Sequence, residues 1–224
     1  MPLQINKKII VYISFFILFS TLNNYNILKL KFIGINQINI SGLSEIENFE
    51  IKKKLDFLKN KNLFFLKKIR IQNYLDTLNI IDNYTILKKY PSSLEIKIKK
   101  TNFLANVYKK EEIFFLGSNG KLIETNKQKK DLLNIFGNFE VESFFSILKD
   151  INESKFNLSE IKNLYYFKSG RWDIETKFGI LIKLPKNNTK ESLDLSLELL
   201  KKNKLDNLKI LDLRQKGQVI INGN

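Results

Sequence analysis

The fold of the first half of the chain is decided by residues 84–100, Tyr84-Thr-Ile-Leu-Lys-Lys-Tyr90-Pro-Ser-Ser-Leu94-Glu-Ile-Lys-Ile-Lys-Lys100. From Leu94 onward apolar and polar side chains alternate, which is the pattern of a half-buried strand. Tyr84 to Tyr90 is predicted as a second strand. Pro91, which cannot donate to a central ladder, lies in the turn between the two. The stretch therefore predicts a β-hairpin.

The residues before this hairpin predict one strand and two helices. Ile35 to Ile40 alternates apolar and polar residues and ends at the Ser41-Gly42 turn. Ser44 and Glu47 have the spacing of a capping box, in which the two side chains satisfy free amides at a helix start. One helix is expected to run to about Lys59, and a second helix follows a short apolar plug. The apolar stripe of the first helix consists of Ile51, Leu55 and Leu58, and the plug is Leu63-Phe-Phe65. The apolar positions of the second helix are Ile71, Tyr74, Leu75 and Leu78.

The resulting order is strand, helix, helix, strand, strand. Two helices packed on one face of a small sheet form an α+β layer arrangement. Ordinary core packing accounts for every apolar residue in these stripes.

From Asn102 onward the pattern changes to short strands with turns between them. Asn119-Gly120 between apolar runs is a strong hairpin signal. Helices are predicted around 142–149 and over 191–202, the latter with an apolar face of Leu193, Leu197 and Leu200. Strands are predicted at 103–108, 113–116, 121–125, 161–168, 171–177, 180–184, 208–213 and 218–222. We expect a mostly antiparallel β domain with one or two helices.

The start of the chain predicts a single membrane anchor. Ile9 to Leu22 is a run of 14 uncharged residues after two lysines, and the uncharged stretch reaches Leu28. The 20 residues 9–28 span about 30 Å as a helix, the thickness of a hydrocarbon core. No small-residue cleavage pattern follows, so we expect an uncleaved signal anchor. The positive-inside rule narrowly favours a cytoplasmic N-terminus, with the rest of the chain exported.

The composition excludes several kinds of chemistry. The 224 residues include no His and no Cys, which removes catalytic triads, cysteine nucleophiles and zinc sites of the usual type. The formal charge of +15 comes from 38 basic and 23 acidic residues, but only three of the basic residues are Arg. Nucleic-acid sites favour clustered Arg. Because the Lys residues are scattered along the whole chain, we interpret the charge as a solvated surface.

Seven short motifs occur in order behind the predicted anchor. They are Ile38-Asn-Ile-Ser-Gly42, Leu63-Phe-Phe65, Tyr90-Pro-Ser-Ser-Leu94-Glu-Ile-Lys-Ile98, Gly117-Ser-Asn-Gly-Lys-Leu-Ile123, Ile135-Phe-Gly137, Gly170-Arg-Trp172 and Leu211-Asp-Leu-Arg214. Taken in this order, over nearly the whole chain, they resemble the bacterial FtsQ/DivIB family of cell-division proteins.

The resemblance implies a domain organisation and a role. It implies a cytoplasmic tail (1–8), a transmembrane signal anchor (9–28), a POTRA domain (33–101) and the family's β domain (102–224). Proteins of this kind are non-enzymatic scaffolds in the inner membrane, single-pass, with most of the chain in the periplasm at the division septum. They bind FtsB and FtsL and help control septal peptidoglycan synthesis. We therefore expect no catalytic residue, no metal or other cofactor and no nucleic-acid partner.

The resemblance also implies a partner-binding site, because the family's FtsB contact lies at the last strands of the β domain. An edge strand that no later strand covers has unpaired backbone groups, to which a partner strand can add. Arg171 is included in the expected site because its guanidinium group is expected to form a charge-assisted hydrogen bond with a partner carboxylate. A solvated surface pair is the alternative for Arg171 and Arg214, and one face of the last strand is expected to serve the core. The expected site is Arg214, Gln215, Lys216, Gly217, Gln218, Val219, Ile220, Ile221 and Arg171.

Three other functions are left open by the residues. A membrane-anchored carboxylate hydrolase would need two acidic residues converging in a cleft, and no motif links such a pair. An anchored polybasic protein would bind anionic lipid or nucleic acid with a steep salt dependence. A different POTRA protein, such as an outer-membrane assembly factor, would carry repeated POTRA units.

Overall fold

A computed structural model describes residues 7–22, 34–202, 208–215 and 217–223 of the chain. Its first element is α1 (Lys7–Leu22), which begins at the two lysines and contains the apolar run. Among the described residues, no helix has both the length and the apolar character that crossing a membrane requires. The predicted anchor includes residues 23–28, which lie outside the described part. The chain divides into two compact units, Met1–Lys100 and Thr101–Asn224.

The first unit has the predicted order of strand, helix, helix, strand, strand. Its elements are β1 (Gln37–Ser41), α2 (Glu45–Lys54), α3 (Ile69–Asp76), β2 (Ile81–Lys89) and β3 (Ser93–Lys100). β3 is the central strand of a three-stranded sheet, parallel to β1 and antiparallel to β2. The α+β prediction is therefore confirmed for this unit.

Local chemistry explains how α2 begins and ends. The backbone N–H of Ser44 donates to Glu47 Oε2 at 2.9 Å, and Ser44 Oγ accepts from the N–H of Glu47, so the predicted capping box is present. The helix ends at Lys54, earlier than the predicted Lys59, because a separate 3-10 turn covers Asp56–Leu58.

Gly42 ends β1 at a position where only glycine fits. Its φ is +109°, and a Cβ atom there would lie 1.7 Å from the carbonyl oxygen of Ile98. The absence of a side chain lets the turn after β1 pass against the backbone of β3. This gives a physical reason for the glycine at the end of the Ile38 to Gly42 motif.

The apolar plug predicted at residues 63–65 is correct for only one residue. Leu63 is fully buried, but Phe64 is 63% exposed and Phe65 is 57% exposed. Asn62 Oδ1 accepts hydrogen bonds from the backbone N–H groups of Phe64 and Phe65, at 2.9 and 3.5 Å. This turn places both rings outside the core. A run of apolar residues in the sequence does not show in which direction their side chains point.

The second unit is built on a nine-stranded sheet. In the sheet the strand order is β12-β11-β10-β9-β8-β7-β4-β5-β6. The elements are β4 (Phe103–Lys109), β5 (Glu112–Gly117), β6 (Leu122–Thr125), β7 (Leu133–Phe136), α4 (Val141–Glu153), β8 (Ile161–Tyr166), β9 (Trp172–Thr176), β10 (Leu181–Lys183), α5 (Thr189–Lys202), β11 (Leu208–Asp212) and β12 (Ile220–Gly223).

This sheet is mixed: most of the described pairings are antiparallel, as expected, but three parallel pairings were not predicted. Among the described residues, β7 pairs in parallel with β4 and β8, β10 pairs in parallel with β11, and the five other pairings are antiparallel. Helix α4 connects β7 to β8, and helix α5 connects β10 to β11. Each helix provides the crossover connection that a parallel pair needs. No strand was predicted from the sequence at the position of β7.

One face of the large sheet carries the core of the second unit. Alternate strand residues such as Val107, Leu164 and Ile182 pack with the apolar sides of α4 and α5. Trp172 Nε1 donates to Ser143 Oγ at 3.0 Å, which connects β9 to α4. The opposite face carries polar and aromatic residues that stack across the strands, including Tyr108, Phe136 and Tyr165. Both helices thus lie on the apolar face, and the strand edges are left for other contacts.

Candidate functional site

Strand β12 lies at one edge of the nine-stranded sheet. Within the described residues it pairs only with β11, antiparallel, with Ile221 opposite Leu211 and Ile220 opposite Asp212. The side of its backbone that faces away from β11 therefore has no described strand beside it. Such an edge is a template for adding a further strand.

The apolar side chains of this edge are exposed on both faces of the strand. Ile220 is 52% exposed, Ile221 is 47% exposed and Val219, just before the strand, is 37% exposed. One of the two faces was expected to serve the core, and Ile221 lies on that face, opposite Leu211, but about half of its side chain remains exposed. Leu211 fills the core position in β11, so Ile221 opposite it remains at the rim. Two-sided apolar exposure at an edge is typical of a surface that a partner covers.

A groove of about 630 Å³ runs beside β12 on the side of α5. Leu195 of α5 and Val219 form exposed parts of its wall, and the buried Leu213 forms its floor. Polar groups surround this apolar strip. The lining is completed by Pro185, Lys186, Asn187, Asn188, Glu191, Ser192, Arg214, Gln215, Gly217 and Gln218.

Each of the two arginines of the expected site is paired with an aspartate of its own strand region. Arg214 donates to both carboxylate oxygens of Asp212, from Nε at 2.8 Å and from Nη2 at 2.5 Å. Arg171 donates from Nε to Asp173 at 2.9 Å, and its guanidinium lies 4.3 Å from the centre of the Phe167 ring. Each arginine thus already has an intramolecular acidic partner, and the contact of Arg171 with a partner carboxylate stays a prediction.

The two ion pairs belong to one charged row across the sheet. Lys183 in β10 is opposite Asp173 on one side and Asp212 on the other. The Arg214 side chain, and more weakly Lys183, hold the pKa of Asp212 below its usual value, although desolvation opposes them. Three cations and two carboxylates leave the row positively charged. Among the residues that the structure describes, no acidic group of three or more is arranged to hold a metal ion.

The structure brings most of the expected site together and separates one member from it. Arg214, Gln215, Gly217, Gln218 and Val219 line the groove, and Ile220 and Ile221 form the edge. Lys216 lies outside the described residues. Arg171 precedes β9, three strands from β12 and thus about 14 Å away at the usual strand spacing, so it does not join the edge.

The sequence prediction missed the carboxylates that hold these arginines. Arg171-Trp-Asp173 and Asp212-Leu-Arg214 both place opposite charges two residues apart. Alternate residues of a strand share a face, so this spacing could have predicted both pairs. Leu195 carried no comparable signal, because its place beside β12 depends on the crossover helix.

Two family models match the chain in order. The model described as "POTRA domain, FtsQ-type" matches residues 33–100, and the model described as "Cell division protein FtsQ/DivIB, C-terminal" matches residues 105–214. The second match ends at Arg214, so β12 lies beyond it.

Individual relatives agree with these matches. The chain is 30% identical over 201 residues to "Cell division protein DivIB" of Clostridium botulinum (strain Loch Maree / Type A3), covering 88% of this chain and 69% of that protein. It is 26% identical over 190 residues to "Cell division protein FtsQ" of Rickettsia bellii, covering 84% of this chain and 71% of that protein. A weak structural likeness, with a TM-score of 0.34 and 16% identity, links 47% of this chain to 98% of the major extracytoplasmic domain of DivIB from Geobacillus stearothermophilus.

Proposed function

The chain belongs to the FtsQ/DivIB family of non-enzymatic cell-division proteins, and on that premise we propose that it is a membrane-anchored scaffold that binds its division partners through strand β12. The single observation that carries the proposal is the exposed apolar edge formed by Ile220 and Ile221.

Anchoring is the first part of the proposal. Residues 9–28 form a single inner-membrane anchor, with residues 1–8 in the cytoplasm and residues 33–224 in the periplasm at the septum. The support is the uncharged stretch of 20 residues behind two lysines, which as a continuous helix would measure about 30 Å. The described helix α1 contains the first part of this stretch.

Strand addition is the second part. A segment of an FtsB-like partner pairs with the free side of β12, and the partner's backbone hydrogen bonds provide affinity for any extended sequence. Alternating partner side chains then meet Ile220 on one face and Ile221 on the other, which provides specificity. An FtsL-like protein joins through the same assembly, and the complex takes part in the control of septal peptidoglycan synthesis.

The groove beside α5 supports a second contact of the same partner. Leu195, Leu213 and Val219 offer an apolar strip next to the edge, so a partner residue that leaves the added strand can pack there. The side chain of Arg214 is 44% exposed even though it is bound to Asp212. Its remaining donors therefore favour an acidic group on the partner at the rim.

A proline in the edge strand tests the proposal. Ile221→Pro or Val219→Pro should abolish co-purification of an FtsB-like partner with the full chain, because proline disrupts the extended ladder and removes a backbone donor. The matched control is Ile123→Pro in β6, at the opposite edge of the same sheet. That variant should retain the partner.

The result that contradicts the proposal is retained binding by both Ile221→Pro and Val219→Pro. Circular dichroism and a urea titration should accompany the experiment, to show that each variant keeps its fold. Loss of binding in the β6 variant alone would show that the partner binds at the β6 edge and not at the β12 edge. This result would also contradict the proposal.

A further inference from the structure

Three segments of the first unit meet at the end where the chain enters it. Ile35 N–H donates to the carbonyl of Lys61 at 2.9 Å, and Asn60 N–H donates to the carbonyl of Ile35 at 3.0 Å. Asn36 N–H donates to the carbonyl of Ser92 at 2.9 Å, which ties the same point to the β2–β3 turn. Residues 34–36, 59–65 and 90–92 therefore form one end of the unit.

This end presents aromatic side chains to solvent. Phe64 and Phe65 are 63% and 57% exposed, and their rings pack edge to face with centroids 5.1 Å apart. Tyr90, in the hairpin turn, is 59% exposed. The Nζ of Lys88 donates to the carbonyl of Phe64 at 2.9 Å, which fixes the loop against β2. The aromatic loop is therefore held in place rather than collapsed onto the core.

The same end carries concentrated positive charge. From Phe57 to Leu75 the sequence contains five basic residues and no acidic one: Lys59, Lys61, Lys67, Lys68 and Arg70. Lys59 is paired with Asp56, and the exposed Lys61 and Lys67 flank the two phenylalanines. We call Lys61, Phe64, Phe65, Lys67 and Tyr90 the entry-end surface. Lysines occur in twos and threes along the whole chain, but here Lys61 and Lys67 flank two exposed aromatic rings.

The connection to the proposed anchor limits how far this surface can be from a bilayer. Gly34 forms an isolated bridge with Asn62, inside the aromatic loop. Only five residues, 29–33, lie between Leu28, the end of the proposed anchor, and Gly34, so the two are six Cα-to-Cα steps apart. A fully extended chain of that length reaches about 20 Å, so the entry end stays near the headgroups.

We propose that the entry-end surface docks onto the anionic lipid surface of the membrane that anchors the chain. Phe64 and Phe65 enter the boundary between headgroups and acyl chains, with Tyr90 at headgroup level, and Lys61 and Lys67 contact lipid phosphates. A membrane fits better than a protein partner because the surface joins cations to exposed aromatics within reach of the bilayer. This inference rests on the anchor of the proposed function, and it adds a second contact that sets the orientation of the first unit.

The chain's lack of cysteine allows a direct test. Single-cysteine variants of the full chain, Phe64→Cys and Ile46→Cys, are labelled with an environment-sensitive fluorophore and placed in nanodiscs. Ile46 is the matched control because it is 77% exposed and lies near the N-terminus of α2, about 12 Å by helix rise from Lys54 at the end that leads to the aromatic loop. Phe15→Cys in α1 reports on the anchor.

In discs containing phosphatidylglycerol, the label at 64 should shift to shorter wavelength and be quenched by lipid-borne quenchers, while the label at 46 should not. Adding Lys61→Gln and Lys67→Gln, which each remove one positive charge, should lower the ratio of docked to undocked protein roughly fivefold for each lysine lost. Discs of phosphatidylcholine alone should give weaker quenching at 64. Circular dichroism checks that the labelled variants are folded.

Two results overturn the proposal in distinguishable ways. If the label at 15 is quenched but the label at 64 remains as exposed as the label at 46, the docking surface is wrong and the anchor stands. If the label at 15 is not quenched, the anchor is wrong, and the docking inference falls with it.

Discussion

The two edges of the nine-stranded sheet differ in how they meet solvent. At one edge, Ile123 of β6 is half-buried and Glu124 places a charge on the strand. At the other edge, residues 217–223 contain no charged residue, and Ile220 and Ile221 are about half exposed. Both strands have only four residues in the sheet, so length does not explain the difference.

The difference supports the choice of β12 as the edge in the proposed partner contact. Native proteins place charges on sheet edges or cover the edges with other elements, because an open apolar edge can pair with strands of other chains. β6 follows this rule and β12 does not. An open apolar edge of this kind is what the proposed strand addition requires.

The largest expected effect comes from placing a charge on the open edge. Ile220→Lys and Ile221→Lys should each weaken binding of an FtsB-like partner by roughly a hundredfold, because a charge buried without a partner costs several kcal/mol. The measurement is partner affinity by titration calorimetry. Because Ile220 and Ile221 face opposite sides, the larger loss identifies the side on which the partner packs.

The same change at the other edge is the control for that comparison. Ile123→Lys should leave partner affinity within about twofold of the unmodified chain, since surface changes away from a site have small effects. Equal losses from Ile123→Lys and Ile220→Lys would mean that the contrast between the edges has no bearing on binding.

An intermediate effect is expected at the glycines of the two edge turns. Gly120 and Gly217 have nearly identical φ values of +75° and +76°, so alanine at either should cost about 1–2 kcal/mol in backbone strain. A Cβ at Gly120 would also lie 3.2 Å from Val141 of α4, whereas nothing lies within 4 Å at Gly217.

Gly120→Ala should therefore lower the free energy of global unfolding, measured by urea titration, and leave binding intact. Gly217→Ala should leave the global midpoint unchanged and weaken binding about fivefold, because it opens only the segment before β12. A fall in global stability from Gly217→Ala would show that β12 is an integral part of the core sheet.

The smallest expected effect concerns the ion pair next to the open edge. Hydrogen bonds from Arg214 lower the pKa of Asp212 in the folded protein. A lowered folded-state pKa adds stability above the unfolded value of about 3.9, and this stability is lost as the pH falls through the lower folded value. Arg214→Gln should thus cost at most about 1 kcal/mol at neutral pH, since half the arginine side chain is in solvent.

Urea titrations at pH 7 and pH 3 measure this effect, and the loss should shrink at the lower pH. Lys149→Gln, at an exposed helical pair with Glu153, is the control and should cost no more than about 0.5 kcal/mol. A loss from Arg214→Gln that is the same at both pH values would contradict the assignment to Asp212.

Local signals in the sequence predicted much of the fold. The Ser44 capping box, the Asn119-Gly120 hairpin and the alternation in β3 each determine an element through neighbouring residues. The strand order of the second unit was missed, because alternation indicates which side chains share a face but not which strands pair. The strand-helix-strand order around α4 and α5 was the available signal for parallel pairing.

The candidate site was predicted in position but not in its details. The last strand was correctly expected at a sheet edge, because β12 has one described neighbour. Its two-sided exposure could not be predicted, since Ile220 and Ile221 resemble core residues until Leu211 is seen to fill the core position. The prediction that Phe64 and Phe65 are core residues was wrong for a similar reason. Apolar character does not define the direction in which a turn places a side chain.

Amide hydrogen exchange on the full chain, alone and with an FtsB-like partner, tests the central claim most directly. Partner binding should slow the exchange of backbone amides in residues 218–223, while amides in β6 keep their rates, because strand addition gives the free amides of β12 new acceptors. Unchanged exchange in 218–223, with protection appearing at β6 or elsewhere, would contradict the assignment of the open edge as the partner site.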